Sequence, residues 1–201
     1  MRPPARADPE AFASRALGFR DLAADSSSLI VLAEIGLLAS ALARWRLSTT
    51  AAVAAELRAG DRGEGCGEGR GEGCAADGRP DAGRQPDSEA PFGAVRVVED
   101  QASPALGADG KPLSADAGLV SLAARLGLPV LSEDGRILRA AEERGLDCLD
   151  SLVAVELLAA AGSITGEQAE DGRRLIRARS IISPARAAWA GAVGLAAEKF
   201  G

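Results

Sequence analysis

The sequence predicts an α/β domain built on a parallel sheet and followed by a helical C-terminal tail. Three observations point there. Between residues 94 and 149, short β-branched or apolar runs alternate with longer helical runs, the pattern of parallel strands joined by crossover helices. Apolar residues make up 47% of the 201-residue chain, enough for one domain with a substantial core. Aromatic residues are only 3% and tyrosine is absent, so that core must be built from Ala, Leu, Val and Ile.

Taken in order, residues 1–18 are rich in Pro, Arg and Ala and read as a disordered N-terminal extension. Phe19 to Ala24 is short and moderately apolar and reads as a first strand. Ser26 to Leu38 reads as one buried helix, with Leu29, Ile30, Leu32, Ala33 and Ile35 covering most of its circumference. Ala39 to Arg46 continues as helix or turn, and Ser48, Thr49 and Thr50 are caps for a helix through Leu57. The composition then breaks. Residues 60–90 alternate glycine with charge and hold almost nothing apolar, so they read as a flexible insertion that cannot offset its ordering entropy.

Order returns with "AVRVVED", a strand over 94–100. "SADAGLVSLAARLG" is a helix capped by Ser114 and stopped by Gly127, with Leu119, Leu122, Ala123 and Leu126 as its inward stripe. "LPVL" at 128–131 is a strand, 135–144 a helix, and "LDCL" at 146–149 another strand. The tail is helical. Ser151 caps "LVAVELLAAAG", Thr165 and Gln168 form a capping box, and Ser183 with Pro184 starts the last helix. The expected organisation is an extension over 1–18, a domain over 19–182 interrupted at 60–90, and a C-terminal helix over 183–201.

Several functions are excluded or disfavoured. Without a histidine, no Ser–His–Asp or Cys–His catalysis and no His-ligated zinc is possible. A net charge of −6 argues against broad coating of nucleic acid. Cys66, Cys74 and Cys148 lack the spacing of a disulfide framework or a zinc knuckle. No signal-peptide core and no uninterrupted membrane-length apolar run is present, so a cytoplasmic protein without a membrane partner is expected.

The chemistry must then come from carboxylates. Sites in open parallel sheets form outside the carboxyl ends of the strands. Asp25 directly follows the first strand, Asp134 lies just past Leu131, and Asp116 opens the helix that feeds that strand. Glu56 lies on the helix after the first αβ segment. Acids gathered at one edge repel each other unless a divalent cation neutralises them, and hard oxygen donors favour Mg²⁺ or Mn²⁺. Such a site suits phosphodiester hydrolysis, with no side-chain nucleophile required. Each acid also has a purely structural reading: Asp25 as a helix cap, Glu56 as a solvated helix residue, Asp116 as a partner for its helix dipole, "SEDG" as a turn. Arg136 and Arg139 follow Asp134 on one helix and are candidates for phosphate contact, or simply a solvated face.

The order of these segments resembles the PIN-domain family. "DSSSLIVLAEIGLL" (25–38) is similar to its opening motif, and "STTAAVAAEL" (48–57) to its second. "LSADAGLVSLAARLGLPVLSEDGRILRAAEERGL" (113–146) resembles its third and fourth motifs. "LVAVELLAAAGSIT" looks like the last region of a VapC-toxin-like bacterial and archaeal subgroup. The likeness covers roughly 19–182, leaving out the Gly-rich insertion. It implies a Rossmann-like three-layer α/β/α domain and a metal-dependent endoribonuclease, often the toxin of a toxin–antitoxin pair and often a homodimer. By position it implies Asp25, Glu56, Asp116 and Asp134 as catalytic ligands of Mg²⁺ or Mn²⁺, with Ser26 or Ser27 supporting a ligand or a metal-bound water. The contrasting expectation is a catalytically weak PIN-fold module that binds RNA or a protein partner. A haloacid-dehalogenase reading fails because Ser27 stands where a second Asp is needed. A receiver-domain reading fails for want of an early acidic pair and a late Lys.

Overall fold

A computed structural model of the chain describes residues 8–61, 92–98, 114–179 and 182–201. Five strands, β1 (Asp21–Ala24), β2 (Arg46–Thr50), β3 (Arg96–Val98), β4 (Val130–Leu131) and β5 (Cys148–Leu149), form one all-parallel sheet in the order β3-β2-β1-β4-β5. The helices are α1 (Pro9–Ala16), α2 (Ser26–Glu34), α3 (Leu38–Arg44), α4 (Ala51–Asp61), α5 (Ala115–Leu126), α6 (Gly135–Glu142), α7 (Ser151–Ala160), α8 (Gly166–Arg179) and α9 (Pro184–Ala197).

The period-two alternation of the strands sorts the core into two layers. Leu22 and Ala24 of β1, Leu47 of β2, Leu131 of β4 and Leu149 of β5 face one side, where they pack with α1 to α4 and α7 to α9. The register sets Leu22 beside Leu47 and Leu131 beside both Ala24 and Leu149, so a continuous aliphatic row lies under α2 and α7. Ala23 and Val130 face the other side, against Leu119, Val120 and Ala123 of α5 and Ile137 and Ala141 of α6. The result is a three-layer α/β fold, as the alternation of elements predicts. Each fully buried Leu, such as Leu29, Leu32, Leu157 and Leu158, contributes about 1.5–3 kcal/mol by leaving water.

The chain runs outward from β1 to β2 and β3, then returns through α5 to β4 on the other side of β1. The sheet therefore changes winding direction between β1 and β4, and the crevice beyond the carboxyl ends of those two strands is the natural ligand position.

Four expectations are corrected. Residues 9–16 are not a disordered extension but α1, capped by Asp8, with Phe12, Ala13 and Ala16 buried and packed into the main core. The buried helix after Asp25 ends at Glu34 rather than Leu38. Gly36 takes φ 74°, a left-handed turn that glycine adopts without strain, and a second helix starts at Leu38. The Ser-Thr-Thr run is not a set of caps alone but the end of β2, in which Ser48 and Thr49 are buried. Only Thr50 acts as a cap, accepting the Val53 N–H at 3.3 Å. Ser151 is the first residue of α7 and not its cap. Asp150 is the cap, and its carboxylate accepts the Val153 N–H at 2.9 Å.

The strands at 19–24, 94–100, 128–131 and 146–149 are found but shorter than expected, the helix expected over 135–144 ends at Glu142, and Leu126, expected on the inward stripe of α5, is exposed. The other expected caps agree. Ser114 caps α5, and Gly127 closes it at φ 64°. Thr165 and Gln168 exchange the two bonds of a capping box at 2.8 and 3.2 Å. Ser183 caps α9. Residues 1–7, most of the Gly-rich insertion with Cys66 and Cys74, and residues 99–113 lie outside the described residues. No single described helix is long and apolar enough to cross a membrane.

Candidate carboxylate site

Asp25 leaves β1 at its carboxyl end and is 5% exposed. Its Oδ1 accepts the Ser28 N–H at 2.9 Å and so caps α2. Its Oδ2 accepts from Ser27 Oγ at 2.9 Å and from Ser132 Oγ at 2.6 Å. Ser132 is fully buried at the end of β4, across the switch point, so the two central strands are joined through this carboxylate. Ser132 Oγ in turn accepts the Asp134 N–H at 3.0 Å.

Asp134 caps α6 by accepting the Arg136 N–H at 2.7 Å. The Arg136 side chain folds back and donates from Nη2 to Asp134 Oδ2 at 2.8 Å, and the same Nη2 lies 4.0 Å from Asp116 Oδ2. The Arg136 guanidinium holds the Asp134 carboxyl below the usual carboxylate range, mainly through this side-chain bond. Asp116, on the first turn of α5, is exposed. Glu56 is exposed on α4 and accepts from Ser26 Oγ at 2.8 Å. Arg139 is exposed one turn further along α6.

The four predicted acids lie along one edge, joined in part by hydrogen bonds and in part by chain adjacency and one 4.0 Å ion pair. Glu56 meets Ser26, which adjoins Asp25; Asp25 meets Ser132, which meets Asp134; and Arg136 bridges Asp134 and Asp116. They do not converge on a point: among the described residues, no three carboxylate or thiol groups lie together as a metal site. The donor type suits a hard divalent cation, and the guanidinium of Arg136 already occupies a cation position between two of the acids. Arg136, a candidate phosphate contact, is here paired with Asp134 and lies 4.0 Å from Asp116.

Sequence reasoning missed four neighbours of this site. Ser132 bridges Asp25 and the Asp134 backbone. Glu133, read as part of a surface turn, accepts the Ser151 N–H at 2.7 Å and the Arg186 Nη2–H at 2.5 Å. Asp150, 6% exposed at the end of β5, accepts from Arg186 Nε at 2.5 Å. Burial pushes the Asp150 carboxyl up, against the opposing pull of Arg186. For Arg186 itself, burial works against the charge, but Asp150 and Glu133 outweigh it and its pKa is raised. One signal was available: "CLDS" repeats the strand-Asp-Ser pattern of "AADS".

An apolar cleft of about 220 Å³ lies between α4 and β3, lined among others by Leu57, Arg58, Phe92 and Val97; none of the four acids lines it. Burial pushes the Cys148 thiol up to about 12, away from the thiolate form.

Comparison of the chain with known families, curated proteins and solved structures finds no match. Any functional reading therefore rests on the carboxylate edge and on the resemblance of its motifs.

Proposed function

We propose that the chain is a PIN-like, metal-dependent endoribonuclease of the cytoplasm, hydrolysing RNA phosphodiester bonds. The observation that carries this reading is the hydrogen-bonded run Asp25–Ser132–Asp134 at the winding switch of the sheet, with Glu56 held by the adjacent Ser26 and Asp116 4.0 Å from Arg136. Asp25 and Asp134 would hold Mg²⁺ or Mn²⁺ with Glu56 and Asp116. The metal would supply an activated water and charge stabilisation on the phosphate. For the acids to serve as ligands, Arg136 must leave the space between Asp134 and Asp116. Once turned outward, it and Arg139 are placed to meet phosphate oxygens. Ser27 and Ser132 hold the Asp25 carboxylate, and Ser26 holds Glu56. Action as a toxin, restraint by an antitoxin protein and assembly as a homodimer are further parts of the proposal, carried by the resemblance alone.

A second reading has its own support. Arg136 already neutralises two of the acids, as expected of a catalytically weak module that binds RNA or a protein partner. Incubation with single-stranded and hairpin RNA separates the two. The enzyme reading predicts cleavage with Mn²⁺ or Mg²⁺ that EDTA abolishes and excess Mg²⁺ restores. RNA retained uncut under all three conditions would favour the binding module.

A further inference from the structure

Glu133 stands between two residues of the candidate site. Ser132 before it donates to Asp25, and Asp134 after it is a candidate ligand. The Glu133 side chain takes no part in either contact. One of its oxygens receives the first N–H of α7, from Ser151, and the other receives Nη2 of Arg186. The same guanidinium donates from Nε to Asp150, whose second oxygen caps α7 at Val153. Arg186 comes from α9, 53 residues from Glu133 in the chain. Its side chain is 20% exposed, Glu133's 13% and Asp150's 8%.

Two carboxylates alone could satisfy the α7 N-terminus. The fork of Arg186 adds a fixed distance between the loop after β4 and the loop after β5, because a planar guanidinium bonds both acids in one geometry. Pinning Glu133 leaves little backbone freedom to the residues on either side of it. We infer that Arg186 is a positioning residue: acting through Glu133, it fixes the 132–134 loop and so sets Asp134 and, by way of Ser132, Asp25. This inference rests on reading Asp25 and Asp134 as metal ligands. Groups that orient ligands in this way typically change metal affinity about 10- to 100-fold when removed.

The test must separate positioning from compensation of buried charge. Arg186→Met alone would strand two carboxylates and could unfold the protein. The triple variant Arg186→Met, Glu133→Gln, Asp150→Asn removes all three charges together and keeps an acceptor for Ser151 and for Val153. It is expected to melt within about 4 °C of wild type. It is also expected to exchange the Asp134 amide faster in metal-free protein and to bind Mn²⁺ about 10- to 100-fold more weakly. Arg186→Lys keeps the charge without the fork and is expected to show the same two changes, smaller in size.

Wild-type exchange and affinity in the triple variant, or in Arg186→Lys if the triple variant does not fold, would overturn the inference and leave the trio a structural tie. If wild type binds no Mn²⁺ yet Asp134 exchange still quickens in the variants, the metal reading fails while Arg186 remains what fixes the loop.

Discussion

On the proposed nuclease reading, replacing Asp134 with Asn is expected to lower RNA cleavage about a thousandfold while leaving stability nearly unchanged. The rate figure corresponds to several kcal/mol of transition-state stabilisation lost with a metal ligand. The stability expectation follows from what Asp134 does in the fold. It caps α6 through one bond to the Arg136 N–H, and Asn caps helices about as well as Asp. Its ion pair with Arg136 is exposed to solvent on the arginine side, where the side chain is 85% accessible, so losing it costs little stability. Asp25→Asn is a poorer test, because that carboxylate accepts three bonds in a buried position and its loss costs about 1–3 kcal/mol as well. Single-turnover cleavage beside a thermal melt checks both halves. An unchanged rate in a folded Asp134→Asn protein would remove Asp134 from the chemistry.

Arg173→Ala is expected to be the most destabilising single change away from the site, at about 3–5 kcal/mol. Glu156 sits in the middle of α7, a helix buried from Ser151 through Leu158. Its carboxylate is forked by Arg173 of α8, with Nε to Oε1 at 2.8 Å and Nη2 to Oε2 at 2.9 Å. On another side lies α9, so close that a Cβ added at Gly194 would fall 2.7 Å from Glu156 Oε2. The α9 side therefore admits no water, and Ala at 173 leaves a largely buried carboxylate without its partner. Hydrogen bonding to Glu156 raises the Arg173 pKa. The melting temperature should fall by roughly 10 °C. Arg173→Met combined with Glu156→Met should recover most of that loss, because apolar pairs replace buried ion pairs at small cost. Failure of the double variant to recover would show that the pair specifies the packing of α7 against α8 and is not merely compensated within it.

How much of this was legible in the sequence depends on where the information lies. Asp25 and Asp134 were placed at strand ends because strand, acid and helix are adjacent in the chain. Gly127 and the Thr165–Gln168 box were readable for the same reason. β2 was not. "RLSTT" offers only Leu47 as an apolar mark, and its buried Ser48 and Thr49 are tolerated in part because Thr49 Oγ1 donates to the Ala24 carbonyl at 2.9 Å, a contact made only once the sheet exists. α1 carried a local signal in Asp8 followed by Pro9, but the Pro- and Arg-rich flanks obscured Phe12, Ala13 and Ala16. Arg186 could not be found from spacing, since its two partners lie 36 and 53 residues away. Nor could the position of Arg136 between Asp134 and Asp116, which depends on how α5 and α6 pack together.

The most direct test of the central claim is calorimetric titration of Mn²⁺ into the wild-type protein and into the Asp25→Asn, Asp134→Asn double variant, each shown to be folded. Saturable binding to wild type that disappears in the double variant is the predicted result. A folded wild-type protein that binds no Mn²⁺, or a double variant that binds it as well as wild type, would contradict the carboxylate site and the hydrolytic function built on it.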